Sequence, residues 1–149
     1  MTIPSWCRPA LLAVLLTLLG GSAADAADLS LSAPDASALV AAGKITLIDV
    51  RTPEEWRESG VPPGAKRLDY RNRVGDRAFL EQIVALVGGD RSAPLAIICR
   101  SGNRSTQVQT LLTQNGFSHV LNVPEGMLGS AAGPGWLRRG LPIQPCPSC

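Results

Sequence analysis

Cys99-Arg100-Ser101-Gly102-Asn103-Arg104-Ser105 combines a thiol, two guanidinium groups, two hydroxyls and a glycine in one short run. The run follows an apolar stretch, Pro94 to Cys99 (P-L-A-I-I-C), and precedes a helical pattern marked by Val108, Leu111 and Leu112. A thiol at a strand-to-helix junction faces backbone N–H groups and the positive end of a helix dipole, which favour an anion there. The thiolate is the reactive form of cysteine, so the setting suits a nucleophile. Arg100 and Arg104 add positive charge for an anionic substrate, and Gly102 lets the backbone turn tightly around the sulfur. An inert buried cysteine has no use for two arginines and a glycine within five residues.

A second pair of thiols stands at Cys146-Pro147-Ser148-Cys149. Three readings are open: a small disulfide, a dithiol that accepts sulfur or electrons from Cys99, and half of a metal site. The metal reading lacks a second ligand pair, so no metal is expected. A disulfide, or a tail with no essential role, is favoured over a relay.

The rest of the chain must position these groups. Ile45 to Val50 (I-T-L-I-D-V) and Pro94 to Cys99 read as buried parallel strands, being nearly continuous apolar runs. His119 to Val123 reads as a last strand and Ala65 to Leu68 as a short one. Helices are expected over Pro34–Ala42, over Thr52–Gly60 with the capping box Thr52-Pro53-Glu54-Glu55, around Phe79–Val87, and up to Asn115-Gly116. Strands alternating with helices predict an α/β fold with a parallel sheet. Ligands of such sheets bind beyond the carboxyl ends of the strands, where Cys99 falls. Asp49 and Arg51 close the first buried strand; an ion pair bracing neighbouring loops is expected of them, in support of the site. Pro124 to Pro142, rich in glycine and proline, reads as mostly loop.

The chain has 149 residues, 45% hydrophobic and 17% charged, which fits one globular domain and excludes a disordered chain. A net charge of +2 gives no argument for nucleic acid, and the basic run Lys66, Arg67, Arg71, Arg73, Arg77 is interleaved with Asp69 and Asp76 as on a solvated face. Neither G-x-x-x-x-G-K-[ST] nor G-x-G-x-x-G occurs. Ahead of the domain, Arg8 precedes an apolar run from Ala10 to Leu19, and Ala24-Asp25-Ala26 has the pattern of a cleavage site. Residues 1–26 are expected to be a signal peptide, cut after Ala26 or after Ala24. Removal of 26 residues leaves 123 and three cysteines, Cys99, Cys146 and Cys149, in an exported, periplasmic protein without stable membrane association. The domain then runs over 27–143 and the tail over 144–149.

Ile48-Asp49-Val50-Arg51-Thr52-Pro53-Glu54-Glu55-Trp56, Gly64-Ala65 and Cys99-Arg100-Ser101-Gly102-Asn103-Arg104-Ser105 together resemble a single-domain rhodanese. Glu125-Gly126-Met127, Gly135-Trp136-Leu137 and Gly140-Leu141-Pro142-Ile143 are similar to that family's closing segment. The resemblance covers 30 to 143 and departs at Val61 and Pro62, where the family usually has histidine and isoleucine. It implies a three-layer fold with a five-stranded parallel sheet and helices on both faces. It also implies sulfur transfer without a cofactor: Cys99 takes sulfur from thiosulfate or a similar small anionic donor as a persulfide, then passes it to cyanide or a thiol. Arg100, Ser101, Gly102, Asn103, Arg104 and Ser105 would hold donor and persulfide. Phosphatases share the fold but place five residues between cysteine and arginine; here four separate Cys99 from Arg104. A non-catalytic sulfur-binding module and a thiol-redox protein using the tail are the alternatives.

Overall fold

A computed structural model describes residues 29–71 and 75–149. The expected signal peptide lies outside the described residues, as does Arg73 of the basic run. The elements run α1 (Ala33–Ala41), β1 (Thr46–Asp49), α2 (Pro53–Ser59), β2 (Lys66–Arg67), α3 (Gly75–Leu86), β3 (Leu95–Ile98), α4 (Asn103–Gln114) and β4 (Val120–Asn122). The strands form one parallel sheet in the order β2-β1-β3-β4. Asp49 is level with both Arg67 and Ile98, so three strands finish together.

Among the described residues, four strands stand where five were expected. The fifth place, beside β4, holds only a parallel bridge between Ser30 and Asn122. Leu31 N–H donates to the Asn122 carbonyl at 2.7 Å, but Ser32 already caps α1 and turns the chain away. On its C-terminal side that edge is cut short by a helix start.

Alternation along the strands separates two cores. Ile48, Val50, Leu95 and Ile97 pack with Phe79, Ile83, Val108 and Leu112 of α3 and α4. Leu47, Ala96 and Ile98 face the other way, onto Ala33 and Ala36 of α1 and onto Met127 and Trp136. Period-two alternation in strands that are apolar on both sides gives a sheet covered on both faces, hence three layers. Cys99 belongs to the α3–α4 core, which buries it to 1% exposure. The segment after β4, read as loop, contains the deeply buried Glu125, Met127 and Trp136 and forms part of the second layer.

Candidate active site

Cys99 follows β3 directly, and its Sγ accepts a hydrogen bond from the Gly102 N–H at 3.1 Å. Its thiol lies 3.5 Å from Ser105 Oγ, which in turn donates to the Gly102 carbonyl at 2.9 Å. The loop closes on itself around the sulfur. Gly102 is the N-cap of α4, with φ of 94°, and provides no side-chain acceptor for the first N–H groups of the helix. A Cβ there would collide with the Pro124 carbonyl, so left-handed backbone and close approach both require glycine. The segment after β4 holds the loop from behind: Met127 N–H donates to the Cys99 carbonyl and Leu128 N–H to the Arg100 carbonyl, both at 2.9 Å.

The two arginines of the loop part company. Arg100 is exposed and lines a cavity of about 330 Å³ with Glu55, Glu58, Ser59, Leu128 and Leu137. Arg104 is buried and grips Glu55 through both Nη atoms at 2.7 Å. Burial disfavours the Arg104 cation, yet its bonds to Glu55 outweigh that and raise its pKa further. Steering and orienting of a donor, expected of both arginines, is thus available to Arg100, while Arg104 is spent on a brace. Ser101 and Asn103 are exposed on the loop, and Ser105 is buried against the sulfur.

The sequence marks Glu55 only as half of a capping box. That box is present: Glu55 Oε2 accepts from the Thr52 N–H at 2.9 Å. The same carboxylate reaches 49 residues along the chain to Arg104. Burial alone would raise its pKa; the bonds from Arg104 and Thr52, with the charges of Arg104 and Arg51, hold it at about 2 instead of 4.5. A depressed carboxyl stabilises the fold above its unfolded value, and that contribution disappears as pH falls toward the folded one. Glu55→Gln keeps the capping box and removes the charge. Denaturant titrations should find the wild type more stable by about 1–3 kcal/mol at pH 6. The gap should shrink between pH 4.5 and 2. A gap that stays constant over that window would refute the coupling.

Asp49 and Arg51 form a buried ion pair at 2.7 Å behind the site, 0% and 1% exposed. Arg51 also donates to Ser59 Oγ at 2.6 Å and to the carbonyls of Glu55 and Gly60, fixing the last turn of α2. Glu125, which the sequence offers only as part of a closing motif, accepts from Ala33 N–H, Gly135 N–H and Arg139 Nε at 2.7–2.8 Å. It ties α1 to the segment that backs the loop. A glutamate amid a glycine-rich, otherwise apolar stretch is the signal that could have found it. Cys146 and Cys149 are joined as a disulfide, and Cys99 is the free cysteine among the described residues.

The geometry defines a class: a three-layer α/β protein with a thiol cradled by a loop that opens a helix beyond the carboxyl edge of a parallel sheet. The family model for the Rhodanese-like domain matches residues 32–132, and the chain belongs to that family. An uncharacterized protein of Rickettsia conorii is 32% identical over 104 residues, 66% of this chain and 81% of its own. A protein of Allochromatium vinosum named sulfurtransferase is 33% identical over 99 residues, 66% of this chain and 78% of that one. Among solved structures, the polysulfide-sulfur transferase homodimer from Wolinella succinogenes superposes with a TM-score of 0.57 and 29% identity, covering 77% of each chain.

Proposed function

We propose that the protein is a sulfurtransferase that moves sulfane sulfur from a small anionic donor of the thiosulfate type to a thiophilic acceptor through a Cys99 persulfide. Family membership and the Allochromatium relative support sulfur transfer as the class of activity. The observation that carries the reading for this chain is the Gly102 N–H held 3.1 Å from the Cys99 sulfur at the start of α4. The Cys99 thiolate attacks the outer sulfur of the donor, sulfite leaves with the bonding electrons, and the persulfide remains in the loop. An acceptor nucleophile then takes the outer sulfur and returns the thiolate, a two-step covalent exchange. The uncapped start of α4 suits the persulfide anion as oxyanion holes suit a developing charge. Arg100, exposed at the cavity, is placed to receive the donor. Phosphoryl transfer is disfavoured by Arg104, whose Nη atoms both serve Glu55.

Export completes the proposal. It rests on the apolar run and small-residue pattern through Ala26, and a disulfide is at home in an oxidising compartment. The test of the reaction is the intact mass of mature protein after thiosulfate. A gain of about 32 Da, confined to Cys99 by peptide mapping, is the covalent intermediate. Folded protein with a free Cys99 thiol and a closed Cys146–Cys149 disulfide that gains nothing from thiosulfate, mercaptopyruvate or polysulfide would overturn it.

A further inference from the structure

Cys146 and Cys149 take no part in the reaction as written, yet the chain builds a seat for them. The tail is pinned by an antiparallel bridge between Val61 and Gln144, with N–H to carbonyl bonds of 2.9 and 2.8 Å. Gly60 admits the strap, since a Cβ there would lie 2.5 Å from Ile143 Cγ2 and 2.8 Å from the Gln144 carbonyl. Arg57 holds the Cys149 carbonyl at 3.0 Å. Arg67, stacked over the Trp56 ring at 5.7 Å, donates Nη1 to Cys146 Sγ at 2.8 Å and also contacts Cys149 Sγ. A fixed guanidinium beside both sulfurs favours their thiolates once the pair is reduced.

This seat adjoins the cavity that Arg100 lines. Glu58 and Ser59, which line the cavity beside Arg100, also line the groove that holds Pro145, Cys146 and Pro147. Only the last turn of α2 separates the two. Cys149 lies five residues beyond the anchored Gln144, and an extended chain of that length spans about 17 Å. Opening the disulfide frees a segment long enough to cross that turn.

We propose that Cys146 and Cys149 are a resolving pair for the Cys99 persulfide, an inference that rests on the sulfur-transfer reading above. In the dithiol form, one tail thiolate attacks the outer sulfur of the persulfide. The sulfur–sulfur bond breaks, Cys99 leaves as thiolate, and the tail carries the persulfide. The second tail thiolate attacks the inner sulfur and expels hydrosulfide, leaving the disulfide seen here. The dithiol is oxidised by two electrons and the sulfane sulfur is reduced to sulfide, so the step balances within the chain. A small dithiol from outside restores the pair by exchange.

The test is a single turnover on full-length mature protein, reduced, freed of reductant and given one equivalent of thiosulfate. Intact mass and released sulfide are followed for wild type and for Cys146→Ser/Cys149→Ser. The wild type should gain about 32 Da and then lose it at least about tenfold faster than the double variant, ending about 2 Da below its reduced mass with one equivalent of sulfide. The rate should not depend on protein concentration. Equal persulfide lifetimes in the two proteins, or a decay that scales with concentration, would overturn the resolving role while leaving the Cys99 reaction intact. A double variant that never gains the mass would instead overturn the Cys99 reading, and the resolving role with it.

Discussion

Cys99→Ser is expected to abolish sulfur transfer, lowering thiocyanate formation from thiosulfate and cyanide by a factor of about 10³ or more, while the protein stays folded. The size of the effect follows from the chemistry of the step. A serine hydroxyl is almost entirely protonated at neutral pH and cannot form a persulfide, whereas the thiolate is the attacking species. With Cys146 and Cys149 closed as a disulfide, Cys99 is the one free thiol among the described residues. The fold should tolerate the change. The hydroxyl introduced by Cys99→Ser can accept the Gly102 N–H that the sulfur now accepts and can donate to Ser105, so no buried polar group is orphaned. The lost volume is small, and a cost of about 1 kcal/mol is expected from the looser packing. Steady-state cyanolysis beside thermal unfolding measures both sides. A variant that keeps a tenth of the activity would remove Cys99 from the mechanism.

The site was legible where the chemistry is local. Cys99, its loop and the two flanking elements could be read because a parallel strand buried on both faces is a continuous apolar run and the loop residues follow one another. Leu95–Ile98 and Thr46–Asp49 lie inside the expected runs for that reason. What escaped depends on distance along the chain. The Glu55–Arg104 grip spans 49 residues and the contact of Glu125 with Ala33 spans 92, and neither has a local signature. The stretch from Pro124 to Pro142 is loop and turn, as its glycines and prolines imply, but what it packs against is not local information. Its function as the wall behind the Cys99 loop arises from backbone N–H groups, which every residue type but proline carries. Arg67 shows the same limit: its run alternates in charge like a solvated face, yet its guanidinium lies on Trp56 and the tail sulfurs. Among the described residues the fifth edge is a single bridge that ends at the helix cap of Ser32, a boundary and not a periodicity.

Arg51→Met is expected to cost about 3–5 kcal/mol, the largest stability change of any single substitution proposed for this chain. Every N–H of the guanidinium is engaged: Nε and Nη2 on Asp49, Nη1 on Ser59 and the Glu55 carbonyl, Nη2 also on the Gly60 carbonyl. Methionine fills similar volume but leaves Asp49 as a buried carboxylate with only the residue 51 backbone N–H, at 3.1 Å, as partner. An uncompensated charge at 0% exposure either takes up a proton or pulls water into the end of the sheet. The loss then spreads along α2. Arg51 holds the last turn of that helix, the helix carries Glu55, and Glu55 holds Arg104 in the Cys99 loop. Activity should therefore fall along with stability, although Arg51 makes no bond to Cys99. Removing both charges with Asp49→Asn/Arg51→Met should recover part of the loss, because the cost lies in the unpaired ion more than in the absence of the pair. Denaturant unfolding of the two variants separates the contributions. Domains of this size have about 5–15 kcal/mol in total, so the single variant should give up about a fifth of it or more. A loss below about 1 kcal/mol in Arg51→Met would show that the pair is solvated and that α2 is held by its capping box alone.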